Sequence, residues 1–138
     1  MVIRLAVLIS TLIFYISCGG HKQTVYPFTF INSKTENSGG GTNRMDLYVS
    51  ESKLEIDSLK ILCKEQKSDW DGSFYFLVVF DDKQYATYPN NQFTALYNDE
   101  ARMKHIIAVY QYNKINAYSE LFYYPINMFE SPPVKIGI

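Results

Sequence analysis

The hydrophobic and polar positions of this chain change their period along its length, and the changes mark the elements. The sharpest block is Phe74-Tyr75-Phe76-Leu77-Val78-Val79-Phe80, an unbroken apolar and aromatic run between Gly72-Ser73 and Asp81-Asp82. A run this short, rich in β-branched and aromatic side chains and bounded by turn formers, predicts a strand buried on both faces. Each Phe, Leu or Val fully removed from water contributes roughly 1.5–3 kcal/mol, so this strand supplies the largest share of the core. Upstream, Met45-Asp46-Leu47-Tyr48-Val49 alternates in part and predicts a second strand. From about Glu55 the spacing becomes helical. Ile56, Leu59, Leu62, Cys63 and Gln66 share one side, and Lys60, Lys64 and Lys67 the other, as in an amphipathic surface helix. Downstream, residues 105–112 alternate, with Ile106, Ala108, Tyr110 and Tyr112 on one face and Ile107, Val109 and Gln111 on the other. Asn113-Lys114-Ile115-Asn116 reads as a tight turn, and residues 118–124 as the returning strand of a hairpin that Pro125 stops.

The stretches between carry weaker signals. Residues 85–97 are aromatic but irregular and are interrupted by Pro89-Asn90-Asn91, which predicts a long loop with a short extended piece near 93–96. Residues 98–104 suit one helical turn capped by Asn98 or Asp99. Residues 24–31 alternate roughly, and Pro27 restricts any strand there to an edge or breaks it. Residues 33–43 are polar and include Gly39-Gly40-Gly41, so they read as a flexible linker with too little apolar surface to order itself. Residues 131–138, with Pro132-Pro133, read as an extended tail. The expected organisation is a targeting segment at 1–17, a tether at 18–43 with an edge strand at 24–31, one domain at 44–130, and the tail. The expected fold class is α+β, a small, mainly antiparallel sheet with one covering helix, in the order β-α-β-(loop)-β-β. If its first two strands are adjacent and parallel, the crossover helix should be right-handed.

The first residues carry an address. Met1-Val2-Ile3-Arg4 is a short cationic start, and residues 5–16 are almost wholly apolar. That is too short for a membrane-spanning helix, which needs about 20 residues, and it fits a signal-peptide core. Ile16-Ser17-Cys18-Gly19 then resembles the lipobox of bacterial lipoproteins, with Tyr15 where Leu is commonest in that family. The resemblance covers residues 1–18 only. It implies that the Cys18 thiol takes a diacylglyceryl group, that the chain is cut before Cys18, and that the new terminus is held on a membrane of the cell envelope. Two other readings stay open: an ordinary signal peptidase cut followed by a Cys18–Cys63 disulfide, or an uncleaved anchor. Loss of residues 1–17 removes Arg4, leaving 12 basic residues of the original 13 against 14 acidic ones, a net of −2.

A length of 138 residues suits one domain able to bury a core without disulfides. The near balance of 13 Lys+Arg and 14 Asp+Glu provides no electrostatic footprint for nucleic acid, so none is expected as a partner. The bias is aromatic, with 12 Tyr and 9 Phe. Tyrosine favours interaction surfaces because it joins apolar area to a polar tip, and it equally fills a half-buried sheet.

Candidate chemistry is sparse. Asp69, Asp71, Asp81 and Asp82 flank the two ends of the central strand, about 25–30 Å apart at about 3.3 Å per residue, too far to share a site. Asp69-x-Asp71-Gly72 lacks the third acid and the bidentate Glu of a calcium loop. His21 and His105 have no second ligand at metal spacing, so no metal and no cofactor is expected. Cys63 and His105 form the one Cys/His pair of the domain, with the Cys on the apolar helix face. No nucleophile elbow or phosphate loop occurs, and no catalytic residue is expected. What remains is aromatic surface: Tyr85, Tyr88, Phe93 and Tyr97 in the long loop, and Tyr110 and Tyr112 on the hairpin. These are the expected binding residues of a lipid-anchored, non-catalytic domain that contacts a protein or another envelope component. The alternatives are a small ligand or glycan held by aromatic stacking, an inhibitor or immunity role, and a hydrolase using His105 with an Asp.

Overall fold

In a computed structural model, which describes residues 27–39 and 41–138, the apolar run 74–80 is an inner strand of an open six-stranded sheet. In chain order the elements are β1 (Thr29–Ser38), β2 (Gly41–Val49), α1 (Ile56–Ser68), β3 (Phe74–Phe80), α2 (Glu100–Met103), β4 (Ile106–Asn113), β5 (Tyr118–Tyr123) and β6 (Val134–Gly137). Two 3₁₀ turns, Lys83–Tyr85 and Phe93–Asn98, lie between β3 and α2. The strands are ordered in space as in sequence, and each neighbouring pair is antiparallel except β2 and β3, which run parallel across the α1 crossover. The sheet is therefore mixed and larger than the small one expected.

Both faces of the sheet are covered. On one face Leu59, Leu62 and Cys63 of α1 pack with Tyr48, Tyr75, Leu77, Val79, Tyr110 and Leu121. On the other face, Met45, Leu47, Phe76, Val78, Phe80 and Val109 lie beneath Ala86, Phe93 and Leu96. The segment between β3 and β4 is thus a second covering layer. It holds a buried apolar group at irregular spacing, whereas one helix on one face was expected.

Three further expectations are corrected. The polar stretch 33–43, read as a linker, is a hairpin that joins β1 to β2 through Gly39, whose φ of 62° suits a residue without a Cβ. Backbone pairing with β2 orders it, and most of its side chains stay in solvent, so it gives no apolar signal. The ordered domain accordingly reaches back at least to Phe28, which is fully buried. The tail supplies β6, which pairs with β5 from Tyr123↔Val134 to Glu120↔Gly137. Finally, the β3–β4 register shifts between Val79 and Phe80, so Phe80 pairs with Ile106 while Val79 pairs with Ala108. That irregularity puts Ile106 with Val109 on the second face and turns Ile107 toward the α1 face, against the simple alternation. The signal segment, Cys18, His21 and residues 24–26 lie outside the described residues.

Candidate functional site

The six aromatic residues expected to bind a partner do not form one surface. Phe93 and Tyr110 are 1% and 0% exposed and belong to the two cores, so neither can touch a partner. Their burial has a plain cause: the loop folds down onto the sheet, and α1 covers the Tyr110 face. Tyr88 is half-buried against Phe93, at 6.4 Å between ring centroids, and Lys34 Nζ lies 5.6 Å from its ring. Burial pushes its phenol well above the usual range. Tyr85 is half-buried and stacks on His105. Tyr112 lies on the α1 face, with Lys67 Nζ 5.0 Å from its ring centroid. Tyr97 alone of the six is classed among the exposed large apolar residues.

Tyr97 has different neighbours. The register sets Phe74, Asn113 and Tyr118 in one cross-strand row and Phe76, Gln111 and Glu120 in the next. Tyr97 reaches over this part of the second face and bonds Gln111 through its hydroxyl. Phe74, Tyr97 and Tyr118 are each 38% exposed, and Phe74 stacks on Phe76 at 6.1 Å and 15°. The Tyr118 hydroxyl donates to Glu120 Oε2 at 2.5 Å. Burial and the Glu120 carboxylate push the Tyr118 phenol up to about 12, with a smaller contribution from Tyr97. Ile115, at the tip of the β4–β5 turn, is 80% exposed beside this strip. The result is an open aromatic strip at the end of the sheet opposite Phe28. Phe74 was hidden by the apolar run it begins; its place beside Gly72-Ser73, where the strand emerges from the core, is the signal that could have marked it.

The four aspartates separate as their spacing predicts. Asp71 accepts from Lys114 Nζ at 2.6 Å, and that contact lowers its pKa. Asp69 follows the last turn of α1, and Asp82 caps the turn after β3 by accepting from Gln84 N at 2.8 Å. Asp81 has a different partner. Its Oδ1 lies 2.9 Å from His105 Nδ1, and the Tyr85 ring covers the imidazole at 3.6 Å and 9°. The backbone supports the pair, because Asp81 N–H donates to the His105 carbonyl at 3.0 Å. Among the described residues no Ser, Thr or Cys side chain bonds His105, and Ser50 Oγ donates instead to the Ser52 carbonyl. A cleft of about 290 Å³ between the 50–54 loop and the end of β5 has Asp81 in its wall. Cys63 is a free, buried thiol whose pKa burial raises far above its ordinary value, which suits a packing residue. No cluster of three metal-ligating side chains occurs among the described residues.

The most deeply buried charge is Asp46, on the α1 face of β2. It accepts from Arg44 Nη2 at 2.7 Å, Arg44 Nε at 3.0 Å, Tyr75 Oη at 2.8 Å and Ser33 Oγ at 2.5 Å. The Arg44 guanidinium also lies 5.3 Å from the Trp70 ring and 5.1 Å from the Tyr75 ring. These bonds to Asp46 hold β1, β2 and β3 together. No protein family matches the chain, and neither a curated protein nor a solved structure shows significant similarity to it.

Proposed function

We propose that the chain is a lipid-anchored envelope protein, held through Cys18, whose domain binds a partner protein without catalysis. The observation that carries this reading is the strip of Phe74, Tyr97 and Tyr118, large rings held half-open on a rigid sheet. Rigid aromatic rings supply contact area at little entropic cost. The strip sits at the end of the sheet remote from Phe28, where the tether joins, so an anchored domain presents it away from the membrane. An open strip suits a protein face better than a small ligand, which calls for an enclosed pocket. An inhibitor or immunity role is one form of the same reading. Among the described residues no helix is long and apolar enough to cross a membrane.

Two measurements test the proposal. The intact mass of the protein extracted from its membrane should equal residues 18–138 plus acyl groups; an unacylated chain removes the anchor. A photo-crosslinking residue placed at Tyr118 in the full chain should give a discrete adduct in cells, lost on Phe74→Ala with Tyr97→Ala in a folded protein. The same adduct from Ile61, exposed on α1, or an adduct that survives the alanine pair, removes the strip from the binding surface.

A second reading, hydrolysis, draws on the 2.9 Å contact of His105 with Asp81. A carboxylate on Nδ1 leaves Nε2 to act as a base. Its test is a panel of ester and amide substrates, with His105→Gln abolishing any turnover found.

A further inference from the structure

We infer that the loop between β5 and β6 rests on the lipid surface to which the chain is tethered, with Ile126 and Phe129 in contact with lipid. This inference rests on the proposed anchor at Cys18. The loop is ordered, and its order points the apolar side chains outward. Tyr124 N–H donates to the Ile107 carbonyl at 3.0 Å and Met128 N–H to the Ile106 carbonyl at 2.8 Å, fastening both residues to the start of β4. Between and beyond them, buried Asn127 accepts from Phe129 N at 3.0 Å and from Glu130 N at 2.8 Å through its Oδ1. Tyr124 and Met128 therefore pack inward, while Ile126 and Phe129 stay 60% and 47% exposed. Val134, at the start of β6, adds a third exposed apolar side chain, at 46%. A loop free to collapse would hide such residues; this one is pinned in a form that shows them.

The position of the tether identifies what covers them. The pairs Thr29↔Val49, Phe80↔Ile106 and Tyr123↔Val134 show that β1 begins, β5 ends and β6 begins at the same end of the sheet. Pro27 lines one cleft with Ser52, Lys53 and Glu55, also at that end. From Cys18 to Phe28 is ten residues (28 − 18), which span at most about 35 Å. Five strand spacings from β1 to β6 are about 24 Å, so a bilayer holding Cys18 is within reach of the whole end. Lys104 Nζ lies 4.8 Å from the Phe129 ring centroid and bonds Glu100 at 2.8 Å, and Glu130 acts on it as well, so the loop meets lipid by apolar contact without a net basic patch.

The test uses the mature, acylated chain bearing Ile126→Cys or, at the opposite end of the sheet, Ile115→Cys, each labelled with an environment-sensitive fluorophore. Cys63 is buried and the Cys18 thiol would be acylated, so the introduced thiol is the reactive one. On phosphatidylcholine vesicles the label at 126 should shift to the blue, gain several-fold in intensity and be quenched by lipids spin-labelled near the headgroup. The label at 115 should do neither, and Phe129→Ser should reduce the change at 126 without affecting flotation. Flotation with an unchanged 126 label, or equal changes at both sites, overturns the inference and leaves the anchor standing. A change at 126 in native membranes but not on pure lipid also overturns it, and assigns the loop to a protein neighbour. A chain that does not float removes the anchor and the inference together.

Discussion

Arg44 Nη2 lies 2.7 Å from Asp46 Oδ2, two residues along one strand, and the carboxylate it holds is fully buried. Burial by itself works against the Arg44 charge, and the bond and field of Asp46 outweigh it, so the guanidinium pKa moves up. Removing one member of such a pair leaves the other charge short of a partner in the interior. Arg44→Ala should therefore destabilise the domain by about 3 kcal/mol. Tyr75→Phe, which withdraws one of several bonds to Asp46, should cost about 1–2 kcal/mol. Urea unfolding followed by circular dichroism measures both, and equal losses would show that the charge pair has no special weight.

The buried tyrosines set an alkaline limit. Burial, aided at Tyr75 by the Asp46 carboxylate, raises the Tyr75 phenol well above its ordinary 10.0, and burial pushes Tyr110 and Tyr124 up to about 12. In the unfolded chain these groups lose their protons near 10; in the folded chain they keep them. The unfolded state thus binds fewer protons above that pH, and stability falls as pH rises from 10 toward the folded-state values. Each such tyrosine weakens folding by up to about 1.4 kcal/mol per pH unit in that window. A phenolate absorbance titration should show a late, cooperative step coincident with unfolding. Ionisation of every tyrosine near 10 in a folded protein would contradict this.

Gly72 stands where two segments nearly touch. A Cβ at this position would come within 1.9 Å of Trp70 Cζ2 and 2.6 Å of the Thr42 carbonyl oxygen. Trp70 cannot swing aside without leaving Arg44, and the Thr42 carbonyl is already bonded to Ser73 N at 2.9 Å. Gly72→Ala should cost about 1–3 kcal/mol. Gly137→Ala, where nothing lies within 4 Å, should change the melting temperature little.

Asn127 fixes the turn that exposes Ile126 and Phe129. Asn127→Ala removes the acceptor of two backbone N–H groups and should cost about 1–2 kcal/mol. Amide hydrogen exchange at 129 and 130 should quicken markedly, while amides in β3 keep their protection. Unchanged exchange at those two amides would mean that the turn holds without its side chain.

Where one physical term dominated, the sequence was legible. α1 follows from a clear apolar stripe, β3 from its uninterrupted run, and the β4–β5 hairpin from alternation around a polar turn. Beyond residue 31, β1 was illegible because its order comes from main-chain pairing and from Ser33 reaching Asp46, neither of which leaves an apolar pattern. The layer that buries Ala86, Phe93 and Leu96 has no regular period, so its covering role shows only in the folded chain. Of the binding residues expected, Tyr97 retained an open face while Phe93 and Tyr110 sank into the cores. An aromatic side chain looks the same in a sequence whether it faces a partner or a neighbouring strand.

The placement of β1 has a mechanical meaning. It is an edge strand, it is joined to the chain from Cys18 at its start, and it pairs with β2 from Thr29↔Val49 to Ser38↔Gly41. A pull between the start of β1, where the proposed tether joins, and the Tyr118 end of the sheet would run along the strands. Under that geometry the β1–β2 hydrogen bonds share the load in shear and resist together, where a sideways pull would open them in succession. A domain tethered as proposed would withstand a tug from a bound partner without shedding its edge.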